Sequence, residues 1–215
     1  SSAASDVYKR QNMIVTSSTP YLWINAAEVA FLKAEYELRW GTKDAAKALY
    51  EQAIRLSFED KGAKDADAYI ADKTRKPAAY NDPLGNYSAT ALSSITIAWE
   101  DDSAEGADKA AIKERNLERI ITQKWIAIFP LGVEAWSEHR RTGYPRLLPA
   151  VEDKSGGTVD LAQGARRLPY PVEEYDKNNA NLQDAVQMLN SESQGSRKGD
   201  GMGTRVWWDV KPYNN

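Results

Sequence analysis

Ala26-Ala27-Glu28-Val29-Ala30-Phe31-Leu32-Lys33-Ala34-Glu35, followed beyond Gly41-Thr42 by the run from Ala46 to Ile54, is the stretch that decides the fold. Ala27, Ala30, Phe31, Ala34 and Leu38 recur at helical spacing, which predicts a helix from Tyr21 to Trp40. Ser17-Ser18-Thr19-Pro20 supplies hydroxyl caps and a proline at its expected start. Gly41 ends it and Thr42 caps the next helix, about Asp44 to Phe58, which carries Ala46, Leu49, Tyr50, Ala53 and Ile54 on one face. Ala34, Ala46, Tyr50 and Ala53 stand at the mutual offsets of the small, small, aromatic and small positions of a tetratricopeptide unit. Small residues let two antiparallel helices approach closely, and the aromatic ring fills the gap beside them. The Trp, Leu and Tyr positions of such a unit's first helix are not matched, so a generic helical hairpin remains the alternative. A single unit cannot bury its own face, and neighbouring units are expected upstream.

Outward from the hairpin, helix predominates. Asp65 to Lys73 reads as a short helix and residues 74–94 as a long loop containing Pro77, Pro83 and Gly85. Ile95-Thr96-Ile97-Ala98-Trp99 alternates as a short strand would. Ala107 to Phe129 is the strongest helix, with Leu117, Ile120, Ile121, the stem of Lys124, Trp125 and Ile128 on its apolar face and Pro130 as its stop. A helix from Val133 to Thr142 ends at Gly143, with Pro145 behind it. Arg166 to Pro171 reads as extended, Asn181 to Leu189 as a short helix, Gln194 to Gly203 as a Gly-rich loop, and Arg205 to Val210 as an extended aromatic ending. Asp6-Val7-Tyr8-Lys9-Arg10-Gln11 is what a sequencing-library transposon end encodes in one frame. Residues 1–11 are therefore read as an artefactual leader, and 12–215 as the protein.

Composition removes several function classes. The 215 residues carry a formal charge of −3, which disfavours nucleic acid and polybasic membrane contacts. With no cysteine and one histidine, His139, thiolate zinc sites, disulfides, cysteine nucleophiles and multi-histidine metal centres are excluded. No apolar run reaches the roughly 18 to 20 residues of a membrane-spanning helix. The aromatic usage is skewed, with 7 Trp and 11 Tyr against 3 Phe. Trp and Tyr combine a flat apolar face with a polar edge, which suits ligand platforms and interfaces.

Chemistry-bearing residue patterns yield little. His139 lies beside Ser137, but neighbours this close on a helix point apart, so a structural role is expected. Glu100-Asp101-Asp102 with Glu105 and Asp108 lacks the D-x-[DN]-x-[DN]-G order of a calcium loop and reads as a solvated acidic turn. Gly199 to Gly203 has no following Gly-Lys-Ser/Thr and reads as a turn. Arg140, Arg141, Arg166 and Arg167 are expected to pair with carboxylates and tie extended segments to helices. No catalytic residue, metal ligand or cofactor is expected.

Two further stretches are specific enough to name a family. Asn116-Leu117-Glu118-Arg119-Ile120-Ile121-Thr122-Gln123-Lys124-Trp125-Ile126-Ala127-Ile128-Phe129-Pro130, then Glu134-Ala135-Trp136-Ser137-Glu138-His139-Arg140-Arg141-Thr142-Gly143-Tyr144-Pro145, closely resemble the SusD/RagB family. The Ala- and Glu-rich run Ala26 to Glu35, Arg167-Leu168-Pro169-Tyr170-Pro171 and the closing Thr204-Arg205-Val206-Trp207-Trp208-Asp209 agree with it. The resemblance runs from about Asn12 to Tyr213 and looks like the C-terminal part of a longer family member. It implies a mainly α fold, a SusD-like scaffold of tetratricopeptide-like hairpins with long loops and few short strands. It implies a lipid-anchored protein on the outer-membrane surface of a Gram-negative cell. Such a protein binds an oligosaccharide or other nutrient as a lid on a TonB-dependent, SusC-like transporter barrel, and is not an enzyme. The signature residues look like scaffold and carry no ligand contacts across.

Sugars present flat C–H faces rimmed by hydroxyls, so a binder needs exposed rings with Asn, Asp or Arg beside them. The loop from Ala79 to Tyr87 has that composition, and Tyr80, Asn81, Asp82 and Tyr87 are the candidate ligand contacts. The competing reading has both tyrosines packing the loop onto the scaffold. Two other functions stand beside nutrient binding: a helical-repeat protein–protein adaptor and a glycosidase.

Overall fold

The computed structural model describes residues 17–85, 87–192 and 198–209; the expected leader lies outside them. Helix α1 is Ala26–Trp40, opening at Asn25 and not at Pro20 as expected. The Asn25 side chain accepts from the Glu28 N–H at 2.7 Å and donates to the Ala127 carbonyl at 3.1 Å. It caps one helix and ties it to the end of another. At Gly41 the Glu37 side chain folds back into the space beside the glycine. A Cβ would stand 1.8 Å from its carboxylate oxygen, which accepts from the Thr42 N–H. Thr42 in turn caps α2, Lys43–Asp60, as expected.

The hairpin closes as its residue spacing requires. Ala34, Ala46, Ala53 and Tyr50 have no exposed surface, and Phe31 meets the Tyr50 ring edge-on with centroids 6.3 Å apart. Beyond α2 comes the single turn of α3, Ala66–Ile70, where the Phe58 and Tyr69 rings stack at 5.1 Å. Two two-residue strands follow, β1 (Tyr80–Asn81) and β2 (Ser88–Ala89), paired antiparallel as Tyr80 with Ala89 and Asn81 with Ser88. Helix α4, Lys109–Ala127, is capped by Asp108 and lays Leu117, Ile120, Ile121 and Ala127 into the same core.

Ile95–Trp99 forms no strand among the described residues and bends at Ile97 and Ala98. Its backbone is satisfied from the helices instead: Tyr50 Oη donates to the Ile97 carbonyl at 2.7 Å, Arg119 Nε donates to the Thr96 carbonyl at 3.0 Å, and the Ala98 N–H donates to the Asp72 carbonyl at 2.9 Å. Long side chains from two helices replace the sheet that the alternation predicted.

Helix α5 is Gly132–Thr142. It ends on Gly143 in the left-handed region (φ 76°), where the amide bonds back to the His139 carbonyl. Helix α6, Val172–Lys177, begins directly after Pro171 and has no counterpart in the sequence expectations; α7, Asn179–Glu192, is longer than expected at both ends. The expected extended ending is instead a turn, closed by the Asp209 N–H bonding the Val206 carbonyl at 3.0 Å; Val210 lies outside the described residues.

Candidate functional site

The residues expected to contact ligand meet at the short hairpin. Tyr80 is exposed on β1, and its ring lies 5.9 Å from that of the half-buried Tyr87 at an interplanar angle of 42°. Neither ring joins the hydrophobic core. The two form an aromatic surface at the mouth of a tight turn. Pairing of the Asp82 N–H with the Tyr87 carbonyl (2.8 Å) and of the Gly85 N–H with the Asp82 carbonyl (2.9 Å) closes that turn. Gly85 takes φ 73°, a conformation that favours glycine. Asp82 accepts from the Leu84 N–H at 3.0 Å, so part of its carboxylate is committed to holding the turn. Asn81 is exposed as well, but as the next residue of the strand it points to the opposite face from Tyr80. The structure thus brings all four residues to one hairpin. Tyr80 and Asn81 face solvent on opposite sides, Tyr87 flanks Tyr80, and Asp82 shapes the backbone beneath.

A second aromatic surface is hidden in the sequence, because the helical reading of residues 21–25 absorbs the residues that bear it. Tyr21 and Trp23 lie ahead of α1, both largely exposed, with rings edge-to-face at 5.4 Å. With Pro130 to Glu134, Glu28 and Lys61 they line an open groove of about 600 Å³.

The buried ionisable residues of α1, α4 and α5 are bound to one another. Buried Lys124 lies 3.2 Å from Glu138, 3.6 Å from Glu28 and 3.9 Å from Glu134. Arg141 forks onto Glu35 at 2.7 and 2.6 Å and also reaches Glu138 at 2.7 Å, while Arg39 holds Glu35 from its other side. Burial pushes the Glu35 carboxyl up, but its bonds to Arg141 and Arg39 outweigh that and hold it below the ordinary carboxylate range. Glu28 is raised by burial, with Lys124 only partly opposing it. Glu28 and Glu35 sit seven residues apart on the inner face of α1, a spacing that marks them as core-facing carboxylates and is legible in the sequence.

The other chemical candidates are structural. Buried His139 has Nδ1 at 3.0 Å from the Pro145 carbonyl, a contact only an N–H can satisfy, and burial lowers its pKa. Glu100 pairs with Arg115 and Arg119, Asp102 with Lys43, and Asp101 accepts from the Ser103 N–H. Among the described residues no group of three or more His, Asp or Glu side chains is placed to hold a metal ion. Of the four arginines, Arg141, Arg166 and Arg167 find carboxylates as expected, but the ties differ: Arg166 to Asp209 and Arg167 to Asp200 join irregular segments to each other, Arg141 to Glu35 joins two helices, and the tie from helix to loop is Arg140 donating to the Arg166 carbonyl. Nothing among the described residues assembles a nucleophile with a base. What they present is exposed aromatic surface together with buried ion pairs between helices.

Comparison with known proteins agrees with that character. The SusD-like family profile, described as Susd and RagB outer membrane lipoprotein, matches residues 2–209. A SusD homologue from Bacteroides thetaiotaomicron superposes with a TM-score of 0.81 at 49% identity, over 93% of this chain and 40% of its own. One from Bacteroides uniformis gives 0.76 at 51%, over 92% and 38%. A chitin-binding SusD homologue from Flavobacterium johnsoniae gives 0.72 at 42%, over 89% and 37%. The chain therefore spans about two fifths of the length of these solved relatives. No curated protein matches it.

Proposed function

The chain belongs to the SusD/RagB family, and from that premise we propose that it is part of a cell-surface protein that binds a glycan without cleaving it. In this reading the protein is held to the outer membrane by lipid and hands its ligand to a TonB-dependent, SusC-like barrel. The observation that carries the binding function is the 42% identity, over nearly the whole chain, to a homologue that binds chitin. The Tyr80–Tyr87 ring pair supplies a local contact of the right kind. Its rings stack on the C–H faces of a sugar. Each such contact is weak, and affinity grows with the number of sugar units engaged.

The test is retardation of the protein in native gels cast with soluble polysaccharides, together with calorimetry using chitin oligosaccharides as the first probe. Tyr80→Ala with Tyr87→Ala should weaken binding at least ten-fold while the circular dichroism spectrum and melting temperature stay unchanged. Equal binding by the folded double variant removes the hairpin from the site. Failure to bind any of the polysaccharides, or release of new reducing ends from them, removes the function itself.

A further inference from the structure

We propose that the groove lined by Tyr21, Trp23 and the start of α5 is a second glycan subsite, built for a sugar that carries a protonated amine. This site deepens the glycan-binding reading above, on which it rests, by giving the ligand a charge. The Tyr21 and Trp23 rings are 77 and 84% exposed and meet edge-to-face at 5.4 Å. They line the groove together with Val133 and three ionisable residues, Glu28, Glu134 and Lys61.

The charges around this groove do not balance. Lys61 is already paired, its ammonium lying 2.8 Å from Asp60. Glu28, Glu35, Glu134 and Glu138 form one network with Lys124, Arg39 and Arg141. Among the described residues four carboxylates therefore share three cations. The shortfall is uneven. Glu35 has both arginines, and Glu138 has Arg141 at 2.7 Å and Lys124 at 3.2 Å. Glu28 and Glu134 have Lys124 alone, at 3.6 and 3.9 Å, and these two are the carboxylates that line the groove. Glu28 is buried, and the buried Lys124 ammonium beside it makes no hydrogen bond among the described residues. An ammonium spread over three carboxylates at these distances leaves lone pairs of Glu28 and Glu134 for a donor that enters from the groove.

A protonated amine supplies what is missing. It brings one positive charge and three donors, and its hydrogen bonds to carboxylates are charge-assisted. Indole is the best aromatic partner for a cation, and the same ring stacks on the C–H face of the sugar that bears the amine. A neutral sugar engages the rings and leaves the charge unanswered. Burial raises the Glu28 carboxyl, Lys124 lowers it only in part, and Glu134 raises it further; a cation in the groove favours the ionised form of both carboxyls.

Calorimetry in slightly acidic buffer, where the amine is charged, compares a glucosamine tetrasaccharide with its N-acetylated twin, which has the same length and linkage and no charge. The amine form should bind at least about five-fold tighter. Glu134→Gln should cut that preference below about two-fold, and Trp23→Ala should weaken the amine form at least about five-fold. Both side chains are exposed, and circular dichroism checks that each variant is folded. Equal affinity for the two tetrasaccharides, or none for either, overturns the site, and so does a preference that survives both substitutions. Binding of the N-acetylated twin or of a neutral polysaccharide leaves the glycan-binding reading standing in each of those cases. Tetralysine that binds as tightly as the glucosamine tetrasaccharide also overturns the assignment, and gives the groove to a cationic peptide.

Discussion

Between α1, α2 and α4 the interior is made of Ala34, Ala46, Ala53, Tyr50, Ile120 and Ile121. Between α5 and the last described residues it is made of arginine. Arg166 and Asp209 are both fully buried and bond through Nε at 2.6 Å and through a second guanidinium nitrogen. Arg140 donates to the Arg166 carbonyl, lies 3.6 Å over the Trp136 ring and faces Trp208 at 4.8 Å, while Trp136 Nε1 bonds the Ala165 carbonyl at 2.8 Å. Asp200 gathers Arg167, the Tyr170 N–H and the Tyr175 hydroxyl. The contrast follows from backbone geometry. Helices satisfy their own peptide groups and can meet through apolar side chains alone. Irregular chain cannot, and arginine, with five donors in a fixed fork, bonds carboxylates and carbonyls together.

Breaking the charged interior should have the largest effect. Asp209→Ala leaves Arg166 buried without its carboxylate and is expected to cost about 3–5 kcal/mol, read as a lower urea midpoint. Replacing both partners, Arg166→Met with Asp209→Leu, should recover more than half of that loss, because an apolar pair removes the desolvation penalty along with the attraction. No recovery would mean that the carbonyl bonds of Arg166 matter more than the ion pair. In the apolar interior, Ala46→Leu forces a larger side chain between α1 and α2 and should cost about 1–3 kcal/mol in the same denaturation experiment. Tyr50→Phe keeps the packing and loses the bond to the Ile97 carbonyl, for about 1 kcal/mol.

The pH dependence sharpens the comparison at the seam where the two interiors meet. Glu35 is depressed in the folded state, so its contribution is complete above the unfolded carboxylate pKa of about 4.3 and is lost as pH falls through the lower folded value. Glu28, raised by burial, works in the opposite sense: its contribution is complete below the unfolded value and lost as pH rises through the folded one. Melting curves should therefore show Glu35→Gln losing stability at pH 7 and flattening the fall toward acid. Glu28→Gln should cost less at pH 7 than Glu35→Gln. The smallest effect belongs outside both interiors: Leu84→Ser, in the exposed hairpin turn, should change stability by less than about 0.5 kcal/mol.

Much of the helical part is legible without coordinates. The offsets of Ala34, Ala46, Tyr50 and Ala53 predict the hairpin interlock, Thr42 and Gly143 mark helix ends, and the arginine pairs are expected to find carboxylates. Three misreadings have a common origin. Ser17 to Pro20 looks like a cap, but Asn25 wins because its amide also reaches Ala127. Ile95 to Trp99 looks like a strand, but Tyr50 and Arg119 bond its carbonyls. The ending looks extended, but it turns so that Asp209 reaches Arg166. Each turns on a bond between residues distant in sequence. At the candidate site, the composition of the loop is readable. The ring pairing of Tyr80 with Tyr87 and the turn held by Asp82 are not.

Sequence by itself determined the existence of the main helices α1, α2, α4 and α5, because the α-helical repeat is a local property of the backbone. Tertiary structure alone decided which charge meets which: Glu35 finds Arg141 across 106 residues, and Arg166 finds Asp209 across 43. Periodicity tells a side chain which way to point. With 28 basic and 31 acidic residues in the chain, only the folded distances choose its partner.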